Sequence, residues 1–153
     1  MIGFDSVFVD SVAFIYLVEN HPTYYDKVAE FIGQEVQKKN PLVTSVITVS
    51  EFCVKPFQEN DNTVLLDFKN TLEELNIKVV DISWKIAEDS SKLRAKYKFL
   101  KTADALQIAS AISLNCKGFF TNDIQLQNIS EIKIVLIQDL WSESITPNVK
   151  ASS

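Results

Sequence analysis

The chain has 153 residues, of which 46% are hydrophobic, with three Gly and four Pro. This composition is typical of one globular, helix-rich domain and argues against a disordered or fibrous chain. The formal net charge of -5 argues against general coating of nucleic acid but leaves room for a local basic strip. No apolar run reaches the about 18 residues of a membrane span, and the N-terminus lacks the basic start of a signal peptide, so we expect a cytoplasmic protein with no membrane partner.

Histidine and cysteine give no sign of a catalytic or zinc-binding centre. His21, the only histidine, precedes Pro22 in a predicted surface loop, without the Ser and Asp partners of a triad. Cys53 and Cys116 are far apart, and each lies in an apolar helical pattern that favours a small buried side chain. Any catalysis by this chain must therefore do without histidine.

The first candidate site residue, Asp10, stands between a strand and a helix. Residues 6–9 form a short apolar run typical of a strand, and Ser11 opens an apolar helical pattern that continues to residue 18. Ligands of open α/β sheets bind at the carboxyl ends of strands, where we expect Asp10 to lie. The alternative is that Asp10 or Ser11 only caps the helix.

The second acid, Glu51, lies in a segment that is apolar nearly all round. A short strand over 42–44 precedes Ser45, which is the predicted cap of a helix over 46–55. We expect a carboxylate in such a helix to be flanked by buried side chains. The alternative is an ordinary ion pair with Lys55, four residues further along the helix.

A basic run precedes the third acid. It lies at the end of a predicted helix over 84–97, and the side chains that we expect to contact a phosphate backbone are Arg94, Lys96, Lys98 and Lys101. Because charge runs are commonly solvated helix faces, that interpretation stays open as well. The remaining predicted elements are scaffold, with helices over 24–39 and 63–75 and a strand over 77–82.

The third acid, Asp104, is the only carboxylate in a predicted helix over 100–112 that is otherwise rich in apolar and small residues. Thr102 is the predicted N-cap, which places Asp104 in the first turn, where the helix dipole favours an anion. The wide apolar face predicts a mostly buried helix, so its acid needs a partner or an ion. The alternative is that Asp104 only assists the cap.

The fourth acid, Asp123, follows Asn122 directly after a predicted strand over 118–121. A short helical turn comes next, and residues 132–137 are apolar on both faces, as expected of an internal parallel strand. Strands therefore alternate with helices, which predicts a three-layer α/β fold. We expect residues 142–153 to form a frayed tail beyond this domain.

The four acids can line one crevice, because two are expected at strand ends and two on helices with apolar neighbours. Like charges about 4 Å apart repel by about 4 kcal/mol at an effective dielectric of 20, so such a cluster needs cations or shared protons. Oxygen ligands without histidine or cysteine favour Mg²⁺ or Mn²⁺. Ions held in this way support phosphodiester hydrolysis without a covalent nucleophile from the protein.

Four segments, in this order, resemble the PIN-domain family: VFVDSVAFIYLVENHP, TSVITVSEF, LRAKYKFLKTADALQIASAI and GFFTNDIQL. The resemblance covers about residues 6–140 and extends the expected PIN-like nuclease domain to residues 1–141. It implies a central parallel sheet of five strands in the order 3-2-1-4-5. It also implies an acidic pocket for one or two Mg²⁺ or Mn²⁺ ions, and endoribonuclease activity.

The resemblance also assigns roles by position. The metal-binding and catalytic carboxylates would be Asp10, Asp104 and Asp123, with Glu51 as the fourth acid. The residues expected to organise the site around them are Ser11, Thr121 and Asn122. One position departs from the family, which often has a polar residue two places after the first Asp, where this chain has Val12. That departure affects a supporting contact rather than the ligands.

Compact PIN proteins of this size resemble VapC-type toxins, which are held inactive by a cognate antitoxin and are often dimers. The resemblance therefore implies RNA as the substrate, a cognate antitoxin as a partner, and a homodimer. The basic run would then contact the RNA backbone. An alternative function is a non-catalytic PIN module that binds metal, RNA or a partner protein, although such a module has no need of four like charges.

Overall fold

Five short parallel strands form the centre of the fold in a computed structural model that describes residues 5–140. They are β1 (Val7–Val9), β2 (Leu42–Ser45), β3 (Lys78–Val80), β4 (Gly118–Thr121) and β5 (Ile134–Leu136). Their order in the sheet is β3-β2-β1-β4-β5, and every neighbouring pair is parallel. The predicted strand order is therefore confirmed, and β1 is the central strand.

Helices cover both faces of this sheet. They are α1 (Ser11–Val18), α2 (Tyr25–Gln37), α3 (Val46–Phe52), α4 (Val54–Gln58), α5 (Asn62–Glu74), α6 (Trp84–Lys96) and α7 (Thr102–Ser113). Two 3-10 helices, Ile124–Asn128 and Ile137–Asp139, precede and follow β5. Among residues 5–140, no helix is long and apolar enough to cross a membrane. The arrangement is the predicted three-layer α/β/α fold.

Two hydrophobic cores, one on each face of the sheet, hold the layers together, because successive residues of a strand point to opposite faces. Phe8 and Phe119 belong to the core that α6 and α7 cover. Val9 and Phe120 belong to the core that α1, α2 and α5 cover. All four side chains are fully buried, as expected of strands covered on both faces. The central strands thus form a rigid base for the residues that follow them.

The segment predicted as one helix over 46–55 forms two helices, α3 and α4, which meet at Cys53. Pro56 lies in the first turn of α4, where its missing N–H costs no helical hydrogen bond. Glu51 lies at the surface, and of the residues around it Phe52 is buried whereas Ser50 and Val54 are exposed. The expectation of buried neighbours on both sides of Glu51 is therefore wrong. Lys55 pairs with Glu19, Nζ to Oε1 3.4 Å, and not with Glu51, the i, i+4 partner considered as an alternative.

Two expectations near the C-terminal half are also wrong. β5 is an edge strand rather than an internal one, since it ends the strand order, and two of its three residues are only half-buried. The N-cap of α7 is Lys101, which makes no side-chain capping bond. Thr102 is therefore the first residue of the helix, and Asp104 still lies in its first turn.

The histidine and the two cysteines, which have no predicted chemical role, are all half-buried, whereas a surface histidine and buried cysteines were expected. His21 is half-buried against the rings of Tyr16 and Tyr24, which also stack on each other. Its Nδ1 accepts from the backbone N–H groups of Thr23 and Tyr24. Both cysteines are half-buried free thiols rather than fully buried ones. The predicted tail over 142–153 lies outside the described residues, so the domain boundary stays a prediction.

Replacing Phe119 by alanine is expected to lower the free energy of unfolding by about 3 to 5 kcal/mol, because the ring is fully buried and stacks on Phe8 with centroids 5.2 Å apart. The matched control is Phe57→Ala, since Phe57 is 67% exposed and its loss should change stability by less than about 0.5 kcal/mol. Urea denaturation followed by circular dichroism measures both. Equal destabilisation by the two substitutions would contradict this assignment of the core.

Candidate functional site

Asp10 lies at the carboxyl end of the central strand, where donors from Ser11 and Thr121 hold its carboxylate. Val9 of β1 lies opposite Phe120 of β4, so the next residues along these strands, Asp10 and Thr121, are neighbours. The Thr121 hydroxyl donates to Asp10 Oδ2 at 2.8 Å, and the Ser11 N–H donates to Asp10 Oδ1 at 2.8 Å. Asp10 is thus both the N-cap of α1 and a buried carboxylate, only 7% exposed.

Ser11 connects Asp10 to Glu51. Its hydroxyl donates to Glu51 Oε1 at 3.1 Å and lies 3.5 Å from Asp10 Oδ1. This contact exists because α1 and α3 pack against each other, which brings the last turn of α3 beside the start of α1. A single hydroxyl therefore contacts two of the four candidate acids, although they are 41 positions apart in the sequence.

Thr121 connects Asp10 to Asp123. Besides donating to Asp10, its hydroxyl accepts from the Asp123 N–H at 3.3 Å. The Asp123 carboxylate caps the following 3-10 helix, where Oδ1 accepts from the Gln125 N–H at 3.0 Å. Asp104 is half-buried in the first turn of α7, a helix that contacts both α3 and β4. The elements that carry the four acids are therefore packed together.

The four carboxylates interact electrostatically. Burial, together with the charge of Glu51, raises the pKa of Asp10 to about 6 despite its hydrogen bonds. Burial, followed by the charges of Asp10 and Asp123, raises the pKa of Asp104 to about 6. Partial burial and the charge of Asp104 raise the pKa of Glu51. Every one of the four acids therefore interacts with at least one of the others.

The donor set suits a hard divalent cation. Carboxylate oxygens without histidine or cysteine favour Mg²⁺ or Mn²⁺ over zinc, and such a cation offsets the repulsion among the acids. Within residues 5–140, no group of three or more Asp, Glu, His or Cys side chains is close enough to hold one ion. Three of the four carboxylates instead accept hydrogen bonds from the protein. The chemistry of the donors fits a metal centre, and their spacing is wider than a bound ion requires.

Sequence reasoning missed a group of fully buried polar side chains beside the acids, which are Thr44, Ser45, Thr48 and Gln107. The Ser45 hydroxyl, which also caps α3 as predicted, donates to Gln107 Oε1 at 2.5 Å, and Gln107 Nε2 donates to Thr48 Oγ1 at 2.7 Å. One signal was available: Gln107 interrupts an apolar helix face three residues after Asp104. Its partners on β2 and α3 follow only from the tertiary structure.

The basic run is only partly available to a ligand. Lys96 pairs with Glu131, Nζ to Oε2 3.4 Å, and lies over the Tyr97 ring. The other three basic side chains are exposed, and they are Arg94, Lys98 and Lys101. The charge of Lys101 offsets part of the burial-driven rise in the pKa of Asp104, which places this lysine beside the acids.

Asn122 is placed between two other elements. Its Nδ2 donates to the Tyr16 hydroxyl at 3.2 Å, and its Oδ1 accepts from the Gln138 N–H at 2.9 Å. The side chain therefore ties α1 to the 3-10 helix that follows β5. Its expected role in organising the carboxylates stays a prediction, whereas Ser11 and Thr121 contact those carboxylates directly.

Metal-free protein is expected to lose stability as the pH rises from 5 to 7. The pKa of Asp10 is raised from 3.8 to about 6 by folding, so the folded protein holds a proton that the unfolded chain has released. The stabilisation that comes from this proton on Asp10 is fully present below about pH 4 and is lost as the pH rises through 6. We expect the free energy of unfolding, measured by urea denaturation in EDTA, to fall by about 1 to 2 kcal/mol.

Two substitutions check the origin of this pH dependence. Asp10→Asn removes one of the two carboxylates whose pKa is raised to about 6. It is expected to weaken the dependence without abolishing it, because burial still raises the pKa of Asp104. Asp26→Asn changes an exposed acid in the first turn of α2 and is expected to leave it as in the wild type. A wild-type stability that rises between pH 5 and pH 7 would contradict the raised pKa of the buried carboxylate.

Several solved structures have a fold similar to that of this chain. No curated protein matches the chain at a significant level. Among solved structures, the chain is similar to VapBC2 from Rickettsia felis, bound to a DNA fragment from its promoter. The identity is 18% and the TM-score 0.70, over 86% of this chain and 98% of that chain. It is also similar to a toxin-antitoxin complex from Klebsiella pneumoniae, with 23% identity, a TM-score of 0.60, and coverage of 86% and 97%.

A third similar structure is VapC20 from Mycobacterium tuberculosis, a toxin that cleaves the sarcin-ricin loop. Its identity is 13% and its TM-score 0.63, over 83% of this chain and 98% of that chain. At these identities the likeness concerns the fold. The family model described as PIN domain matches residues 7–132, a range that contains all four acids. The chain therefore belongs to the PIN-domain family.

Proposed function

We propose that this protein is a Mg²⁺- or Mn²⁺-dependent endoribonuclease that hydrolyses RNA phosphodiester bonds. The observation that carries the proposal is the linkage of the acids in a PIN-domain fold. The Ser11 hydroxyl lies between Asp10 and Glu51, and the Thr121 hydroxyl lies between Asp10 and the backbone of Asp123. Asp104 is close enough for the charges of Asp10 and Asp123 to raise its pKa. Four like charges lower stability, and natural folds retain such destabilising groups where function requires them. The RNA-cleaving activity named for VapC20, a structural neighbour, supports RNA as the substrate class.

In this proposal the four carboxylates hold one or two cations. A bound Mg²⁺ or Mn²⁺ supplies Lewis-acid activation of water and neutralises charge at the scissile phosphate. The chain itself orients the ligands: the Thr121 hydroxyl engages Oδ2 of Asp10, and the Ser11 N–H engages Oδ1. Each carboxylate oxygen has two lone pairs, so these hydrogen bonds leave both Asp10 oxygens able to bind a cation.

RNA would approach along the exposed basic side chains that precede α7. Arg94, Lys98 and Lys101 are exposed, and positive charges of this kind contact phosphates without reading sequence. Lys96 contributes less, because its ammonium group is already paired with Glu131. A local basic strip of three residues is compatible with an acidic chain, since it acts only beside the site.

We further infer a toxin that a cognate antitoxin restrains and that forms a homodimer. Support comes from the structural neighbours, one of which is a toxin-antitoxin complex. The neighbouring helices α4 and α5 also expose apolar side chains of the kind that protein partners cover, namely Val54, Phe57 and Leu66. Light scattering on the purified chain tests the homodimer, because a dimer has twice the monomer mass.

A second candidate function is a non-catalytic PIN module that binds RNA or a partner protein. One observation favours it: within residues 5–140, no three acids are close enough to hold an ion together. The two functions differ in turnover. RNA that binds but is not cut in Mg²⁺ or Mn²⁺, across varied sequences, would favour the binding module.

Asp104→Asn is expected to lower the rate of RNA cleavage in Mg²⁺ on the order of 100-fold or more, because it removes one ligand charge from the centre. The half-buried position of Asp104 means that the variant should fold. The matched control is Asp67→Asn, which changes an exposed acid on α5 and should cut at the wild-type rate. The measurement is a time course of RNA cleavage, with circular dichroism to confirm folding. An Asp104→Asn variant that cuts as fast as the wild type would refute the catalytic assignment.

Lys101→Ala is expected to weaken binding of single-stranded RNA and to reduce the slope of log K against log salt by about 0.7, the value for one lost phosphate contact. Fluorescence anisotropy in EDTA measures binding without cleavage. Lys85→Ala is the control, because Lys85 lies in the first turn of α6 and pairs with Asp89 at 2.6 Å. If both variants keep the wild-type slope, RNA does not approach along this strip.

A further inference from the structure

The fully buried amide of Gln107 joins α7 to three other elements. Gln107 Oε1 accepts from the Ser45 hydroxyl at 2.5 Å, and Nε2 donates to Thr48 Oγ1 at 2.7 Å. The Thr48 and Thr44 hydroxyl oxygens are 2.8 Å apart, and Thr44 donates to the Val9 carbonyl at 2.7 Å. The chain of hydrogen bonds thus runs from α7 through β2 and α3 to β1.

The direction of every bond in this network follows from one fixed acceptor. The Val9 carbonyl can only accept, so it takes the hydroxyl hydrogen of Thr44. Thr48 must then donate to Thr44, and its own oxygen must accept from the NH₂ group of Gln107. That orientation turns the amide oxygen of Gln107 toward Ser45. A side chain that lacks either the donor or the acceptor of Gln107 therefore leaves a buried group without its partner.

The members of this network lie one helical turn or one residue away from three of the acids. Gln107 is three residues after Asp104 on α7, and residues three apart share a helix face. Thr48 is likewise three residues before Glu51 on α3, and Val9 directly precedes Asp10. Gln107 also lies close enough to Asp10 for its side chain to lower the pKa of that carboxylate, against the larger rise caused by burial. The network therefore connects the backbone segments that carry Asp10, Glu51 and Asp104.

We propose that Gln107 is a positioning residue that sets the spacing of these three carboxylates and thereby the affinity of the site for a divalent cation. The inference rests on the proposed function only in taking a divalent cation as the ligand. Groups that orient metal ligands from behind change metal affinity by about 10- to 100-fold when they are removed. A merely structural role would lower stability and leave the affinity of the folded protein unchanged.

The test is calorimetric titration of Mn²⁺ into the full-length, metal-stripped chain without RNA. Gln107→Met keeps the length of the side chain but removes its hydrogen bonds, and it is expected to weaken Mn²⁺ binding by about 10-fold or more. Thr48→Val, which removes the neighbouring hydroxyl, should have a similar effect, whereas Thr48→Ser keeps the hydroxyl and should bind as the wild type does. The matched control is Ser110→Ala, because Ser110 is buried on the same helix and, within residues 5–140, its hydroxyl bonds only to Leu106 O, at 2.8 Å.

The outcomes separate the positioning role of Gln107 from the metal centre of the proposed nuclease. If Gln107→Met fails to fold, the Thr48→Val and Thr48→Ser pair carries the test. Wild-type Mn²⁺ affinity in folded Gln107→Met and Thr48→Val overturns the positioning role and leaves the proposed nuclease untouched. Absence of Mn²⁺ binding by the wild type overturns the metal centre and the positioning role with it. Equal weakening by Ser110→Ala would show a general effect of α7 packing and would also overturn the positioning role.

Discussion

The buried carboxylate of Asp10 is the group around which the rest of the site is arranged. A charge that is only 7% exposed requires donors, and it finds them in the N–H of Ser11 and the hydroxyl of Thr121. The first donor exists because a helix begins there, and the second because β4 lies parallel to β1. The central strand, the start of α1 and the end of β4 are therefore coupled through one side chain.

That arrangement has a thermodynamic cost, which the two cores offset. Asp10 and Asp104 are ionised less readily than ordinary aspartates, since burial and neighbouring charges raise the pKa of each to about 6. The repulsion is tolerable because the sheet beneath is held by fully buried aromatic and aliphatic side chains on both faces. The two buried cores thus supply the stability of the fold, and the repulsion among carboxylates is confined to the edge of the sheet where the strands end.

A network of buried polar side chains lies beside the carboxylates, within the otherwise apolar interior. Thr44, Ser45, Thr48 and Gln107 are fully buried, and among the described residues every buried side-chain nitrogen and oxygen has a hydrogen-bond partner. Satisfied networks of this kind are rigid, because any shift of one member leaves another unpaired. Rigid elements position ligands more accurately than loops, and here they are the elements that carry the acids.

Local patterns in the sequence were sufficient for the alternation of strands and helices, the Ser45 cap, and the place of Asp10 and Asp123 at strand ends, because each depends on neighbouring residues. The strand order followed only from the resemblance to a family. The surface position of Glu51 and the partner of Lys55 could not be predicted, since they depend on how the α3–α4 segment packs against α1 and the residue that follows it. The break between α3 and α4 at Cys53 was not predicted either. What the sequence determined by itself was the alternation of strands and helices and the position of Asp10 and Asp123 just after two of the strands. Only the tertiary structure decided which residues meet, because Gln107, Thr48 and Thr121 find their partners across 59 to 111 positions of chain, beyond the reach of any local pattern.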